Sequence, residues 1–117
     1  MSDLTDMQAK IVAFRDARDW KQFHNPKDLA IGLNLEATEV LEHFLWKSPE
    51  EITKYLQTHT NNVAEELADT LYYVLLMAHE LGIDIKQALS DKMEQNEAKY
   101  RVDKAKGNHK KYTELAE

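Results

Sequence analysis

The sequence predicts an all-α fold, a helical bundle of four main helices plus a short one. Three observations carry that reading. Apolar residues recur at spacings of three and four, the period of an amphipathic helix. No segment alternates apolar and polar residues as a half-buried strand does. Only three glycines and two prolines occur, and the breaks they mark are clean.

Taken in order, residues 3–20 form the first helix, with Leu4, Met7, Ile11 and Phe14 along one face. Residues 21–24 are a connector. Asn25-Pro26-Lys27-Asp28 then reads as an N-cap, a proline at the first helical position and an acid in the first turn. Free N–H groups and the helix dipole favour acceptor oxygens and negative charge there. This second helix runs to about residue 46. Ser48-Pro49-Glu50-Glu51 is a capping box and opens a short third helix to about residue 56. The polar string over 57–62 is expected to be a loop. A long helix follows over 62–81, stopped by Gly82, which enters the left-handed region without a Cβ penalty. Asp84 caps a last helix over 85–102. Residues 1–102 are read as the domain. Residues 103–117 are a polar tail broken at Gly107-Asn108, loose or docked on a neighbour.

The bulk numbers narrow the function classes. A chain of 117 residues is one domain, and 43% hydrophobic with 31% charged residues is neither disordered nor membranous. Without cysteine there is no disulfide, thiolate nucleophile or zinc knuckle. No apolar run approaches the roughly 20 residues a spanning helix needs. The opening residues lack a basic region followed by an apolar stretch. A cytoplasmic protein without a membrane partner is expected. The net charge of −6, with only residues 101–111 basic, argues against polymeric nucleic acid. A small phosphorylated ligand remains compatible, provided a cation stands between its phosphates and the protein's acids.

The informative residues are acids that interrupt apolar faces. Leu29, Leu33, Glu36 and Val40 fall within about 60° of one another on the second helix, so Glu36 sits in the stripe that faces the core. Glu39 flanks it one turn on. On the long helix Val63, Leu67, Thr70, Val74 and Leu81 form the stripe, edged by Glu66, Asp69 and Tyr73. On the last helix Lys92 and Asn96 lie between Leu89 and Tyr100, again on the expected buried side. A buried carboxylate without a partner costs several kcal/mol. Glu36-x-x-Glu39 and Glu66-x-x-Asp69 each place two carboxylates on adjacent turns of one face, so two antiparallel helices could present all four to a common point. Hard oxygen ligands suit Mg²⁺, with Mn²⁺ as a substitute. The competing reading of each pair is an ordinary solvated acid.

Other residues divide similarly. Trp20, Phe23, His24 and Trp46 sit at helix ends, where planar rings could sandwich a nucleobase or simply close the core. Lys92 is either a salt bridge to the acids or a phosphate ligand. Tyr72 and Tyr73 point about 100° apart, and Tyr73 is the one assigned to the acids. Met7, Met77 and Met93 read as core filler.

The run Glu36-Ala-Thr-Glu39, then 26 residues, then Glu66-Leu-Ala-Asp69, followed by Lys92, Asn96 and Tyr100, resembles the MazG-like all-α NTP pyrophosphohydrolase superfamily. Arg18-Asp19-Trp20-Lys21-Gln22-Phe23-His24, Phe44-Leu45-Trp46-Lys47-Ser48 and Lys111-Tyr112-Thr113-Glu114-Leu115 are similar to its dCTP pyrophosphatase branch. The resemblance implies that Glu36, Glu39, Glu66 and Asp69 bind Mg²⁺ and are the catalytic acids. It implies that Trp20, Lys21, Gln22, Phe23, His24 and Trp46 form the base and sugar pocket. It also implies that Tyr73 contacts substrate and that Lys92 and Asn96 touch phosphates. It further implies a homodimer or dimer of dimers whose sites use helices from more than one subunit. Cleavage would take a nucleoside triphosphate, dCTP or a modified dCTP, to the monophosphate and pyrophosphate, a house-cleaning role in the nucleotide pool. The chain departs from the pattern at Ile11, where relatives carry a base-facing histidine on the first helix; this implies a looser hold on cytosine.

Two other readings compete. A di-iron bundle wants Glu-x-x-His, but Val40 stands three before His43 and Leu76 three before His79. A non-enzymatic acidic bundle binding a partner helix predicts no turnover and no Mg²⁺-dependent stabilisation.

Overall fold

The computed structural model describes residues 3–114. Among them every regular element is helical: α1 (Asp3–Ala17), α2 (Pro26–Glu42), α3 (Pro49–Glu80), α4 (Ile85–Lys99) and the short α5 (Val102–Ala105). Single 3₁₀ turns lie at Lys21–Phe23 and Tyr112–Glu114. The chain divides into two compact units, Met1–Ile83 and Asp84–Glu117. No helix among the described residues is long and apolar enough to cross a membrane.

The caps stand where the sequence puts them. Asn25 accepts from the Asp28 N–H at 2.9 Å, Ser48 and Glu51 close the reciprocal capping box, and Asp84 accepts from the Gln87 N–H at 3.1 Å. Gly82, at φ +67°, ends α3: Ile83 N–H donates to Ala78 O and Gly82 N–H to His79 O, which satisfies two free carbonyls.

Four boundaries differ from the sequence reading. First, α1 stops at Ala17 rather than residue 20. Asp19 takes φ +55°, Trp20 N–H reaches back to Arg15 O and Asp19 N–H to Asp16 O, the same closure as at Gly82 without its glycine. Second, α2 ends at Glu42, and Trp46 at φ +65° lies in the turn beyond it. Third, the expected loop over 57–62 is helix, so the short third helix and the long one are a single rod of 32 residues. Polar side chains do not break a helix that lacks Gly and Pro. Here Thr60 donates its hydroxyl to Leu56 O and Thr58 to Tyr55 O, and both groups stay satisfied inside the helix. The helix α4 also closes early, at Lys99, with Tyr100 N–H on Asn96 O.

In the first unit α1 and α2 each pack against α3. Leu29, Leu75, Leu76 and Ala78 form its buried apolar centre. Arg15 is buried with them, ion-paired to Glu80 at the end of α3 and to Asp16 at 2.9 Å. Burial lowers its basicity, but the hydrogen bonds and charges of Glu80 and Asp16 outweigh that and leave it raised. Gln8 donates to Leu75 O at 2.8 Å, a second tie between α1 and α3. The stripe expected on α3 is displaced: Leu67 and Leu81 are exposed, and the buried face centres on Leu75, Leu76 and Ala78. Met7 and Met93 are exposed rather than core filler. On α4 no residue is buried; Lys92 is exposed, as are Leu89 and Tyr100, so the face expected to meet a core stands open. Residues 115–117 of the tail, including Leu115, lie outside the described residues.

Candidate active site

The pairing of α2 with α3 brings acids from both helices together. Glu36 and Glu39 lie one turn apart on α2, and each offers an oxygen that is within 4.8 Å of the others' and of one from Glu66 on α3. Asp69, the fourth acid, is not part of that close trio, but its charge acts on both Glu36 and Glu66. Glu36 is half-buried, and its Oε2 is enclosed with no hydrogen-bond partner.

Crowding of like charges leaves a clear electrostatic signature. The Glu66 carboxyl, bonded to that of Glu39, partly desolvated and facing the charges of Glu39, Glu36 and Asp69, is pushed up to about 7. Glu36 is raised as well, first by burial and then by Glu39 and Asp69. Such a cluster holds protons unless a cation compensates it. An all-carboxylate donor set with an enclosed, unpartnered oxygen fits a hard divalent ion such as Mg²⁺ or Mn²⁺.

The rings are arranged as a row. Trp20 packs edge-on against Phe14 with centroids 5.7 Å apart, Phe14 meets Tyr72 at 6.4 Å, and Tyr72 meets Tyr73 at 5.2 Å. Arg18 lies 3.7 Å over the Phe14 ring. Tyr73 ends the row against Gly32 of α2, one turn before Glu36; a Cβ there would come within 2.7 Å of Tyr73 Cζ. A groove of 290 Å³ opens beside the row, lined by Met7, Lys10, Ile11, Phe14 and Tyr72. Burial and the neighbouring Tyr73 push the Tyr72 hydroxyl up, against the opposing charges of Arg15 and Arg18. The sequence reading missed this groove, because periodicity alone does not separate an apolar stripe that meets the core from one that lines a cleft.

The other expected site residues are placed as follows. Gln22 donates to Asp19 at 3.0 Å, Lys21 is exposed with its carbonyl taking the His24 N–H, and His24 Nδ1 is enclosed without a partner. Phe23 is exposed, and Trp46 is 93% exposed in its left-handed turn. Lys92 and Asn96 belong to the second unit, four residues apart on α4. The structure adds residues that were not chosen from sequence. His43 Nε2 stands 4.0 Å from Glu66 Oε1, and its Nδ1 is 2.5 Å from the Tyr55 hydroxyl. The available signal was position: His43 follows Glu39 by four residues and shares its face.

Residues 31–115, most of the chain, match the MazG-like family. The chain belongs to the MazG-like family. Among similar proteins, dCTP pyrophosphatase 1 of Mus musculus is 36% identical to this MazG-like chain over 114 residues, covering 96% of the chain and 67% of the relative. The Homo sapiens dCTP pyrophosphatase 1 is 34% identical over 114 residues, with 96% and 67% covered. A crystal structure of a pyrophosphatase from Archaeoglobus fulgidus superposes with a TM-score of 0.80 at 35% identity, covering 86% of this chain and 94% of that one. With the family established, the di-iron and interaction-module readings fall away.

Proposed function

We propose that this nucleoside triphosphate pyrophosphohydrolase acts on dCTP or a 5-modified dCTP, with Mg²⁺ held by Glu36, Glu39, Glu66 and Asp69 and Mn²⁺ as a substitute. The observation that carries this reading is the convergence of carboxylate oxygens from α2 and α3 around an enclosed, unpartnered Glu36 Oε2. The dCTP pyrophosphatase relatives support the substrate. When bound, the ion supplies neutralisation of triphosphate charge in the transition state.

The chain's own groups do the rest. A carboxylate of the cluster takes the proton of a water whose oxygen forms the new bond to phosphorus; the α–β anhydride breaks and pyrophosphate leaves. Lys92 and Asn96 hold the phosphates, and the Lys92 charge favours the leaving group. Trp20, Lys21, Gln22, Phe23, His24 and Trp46 receive the base and sugar, and Tyr73 contacts the substrate; the row from Trp20 to Tyr73 supports that assignment. Ile11 beside this row gives an apolar wall rather than a donor, consistent with tolerance of substituted cytosines. The protein works in the cytoplasm on free nucleotides, as a homodimer or dimer of dimers.

Replacing Glu39 or Asp69 by Ala, with dCTP and Mg²⁺ supplied, should abolish pyrophosphate release while the fold persists. Turnover near that of the unmodified protein rules out the metal-acid mechanism. A panel of canonical and modified deoxynucleotides, scored the same way, tests the substrate. Preference for a purine triphosphate overturns the cytosine assignment.

A further inference from the structure

The corner where α2 ends and α3 begins carries a connected set of side chains running to the acid cluster. His43, half-buried, has its two ring nitrogens in different surroundings: Nδ1 lies 2.5 Å from the Tyr55 hydroxyl, and Nε2 lies 4.0 Å from Glu66 Oε1. Tyr55 is itself fixed. The His59 ring stacks on it with centroids 4.1 Å apart and planes 6° from parallel. Lys47 Nζ sits 4.3 Å from the Tyr55 ring centroid while donating to His43 O at 2.7 Å.

The chemistry of this set has a direction. A cation beside the phenol ring draws electron density from it and makes the hydroxyl a better donor. With Tyr55 donating to Nδ1, the imidazole hydrogen resides on Nε2, the nitrogen that faces Glu66. Carboxylates that ligate metals are commonly held by an outer hydrogen-bond donor, and loss of that donor weakens the site.

We propose that His43, oriented through Nδ1 by the Tyr55 hydroxyl, is a positioning residue that presents an N–H to Glu66 and fixes that carboxylate for the divalent ion. This inference rests on the reading of the acids as a metal centre. It assigns His43 no contact with substrate, and it makes Tyr55 and Lys47, at the far end of the arm, the elements that set the imidazole's orientation.

The test is Mn²⁺ binding, followed by electron paramagnetic resonance without nucleotide, together with the Mg²⁺ dependence of turnover. His43→Leu should weaken Mn²⁺ binding by about 10- to 100-fold and shift the Mg²⁺ midpoint the same way. His43→Gln, which keeps an N–H near the Nε2 position, should largely restore both. Tyr55→Phe, which removes one hydroxyl and keeps the ring, should move both midpoints in the same direction by less. Should His43→Leu or Tyr55→Phe lower the melting temperature and leave the metal midpoints unchanged, the corner is only structural and the proposal is overturned. If the unmodified protein binds no Mn²⁺ and Glu39→Ala remains fully active, the metal reading itself falls and this inference with it. Normal binding by the unmodified protein and by His43→Leu alike overturns this inference alone.

Discussion

At the residue scale, position on a helix and protonation decide what the acids can do. The neighbouring carboxylates push Glu66 up to about 7 in the folded chain from an ordinary 4.5. Its folded value lies above its unfolded one, so between these values the folded state binds more protons than the unfolded state. The stability linked to this group therefore declines as pH rises from 4.5 to above 7 in metal-free protein. A cation that needs the ionised carboxylates opposes the trend. The melting temperature of metal-free protein should fall across that window more steeply than that of Glu66→Gln, and Mg²⁺ should raise it more above pH 7 than near 4.5. Identical slopes in the two proteins contradict the coupling. Trp46 offers a second test. It is 93% exposed at φ +65°, so it has little packing to lose and carries a left-handed penalty of about 1–2 kcal/mol. Trp46→Gly should leave stability unchanged or raise it by about 1 kcal/mol. If Trp46 receives the base, the KM for dCTP rises at the same time. Calorimetry beside steady-state kinetics reads both, and an unchanged KM removes Trp46 from the pocket.

At the element scale, the site exists because α2 lies close against α3. Gly32 makes that approach possible: the Tyr73 ring occupies the space a Cβ would need. Gly32→Ala gains about 1 kcal/mol of helix propensity but forces the ring aside, an overpacking cost of about 1–3 kcal/mol. Net destabilisation is expected in denaturant unfolding, together with reduced turnover as Tyr73 shifts beside Glu36. A stabilised, fully active variant shows that the ring moves freely and does not set the spacing. The unbroken α3 matters as well. Its 32 residues carry Tyr55 and Glu66 on one rigid rod, which a loop over 57–62 would have uncoupled. That loop was the main misreading of the sequence, because polarity imitates a linker when no Gly or Pro is present to break the helix.

At the scale of the whole molecule, apolar side chains exceed what the chain itself covers. Ile31 and Leu35 on α2, Leu67 and Leu71 on α3, and Leu89 and Met93 on α4 are all exposed. Exposed apolar side chains in this number, within each unit, mark surface suited to an interface. The proposed dimer or dimer of dimers predicts that sedimentation equilibrium gives a mass at or above twice 13.6 kDa. Leu35→Glu together with Leu71→Glu should shift that mass towards the monomer and lower activity. A monomeric, fully active unmodified protein disproves the assembly.

The sequence by itself determined the all-α class, the caps at Asn25, Ser48 and Asp84, the stop at Gly82, and the acids Glu36, Glu39, Glu66 and Asp69 as the residues to watch. These are local properties, written in helical period and in the chemistry of helix ends. Tertiary structure alone decided that α3 is continuous, that Arg15 is buried and paired with Glu80, that Gly32 admits the Tyr73 ring, and that His43 stands between Tyr55 and Glu66. Each depends on which faces of separate helices meet. Spacing along one helix shows what shares a face; it carries no information about what is packed against that face.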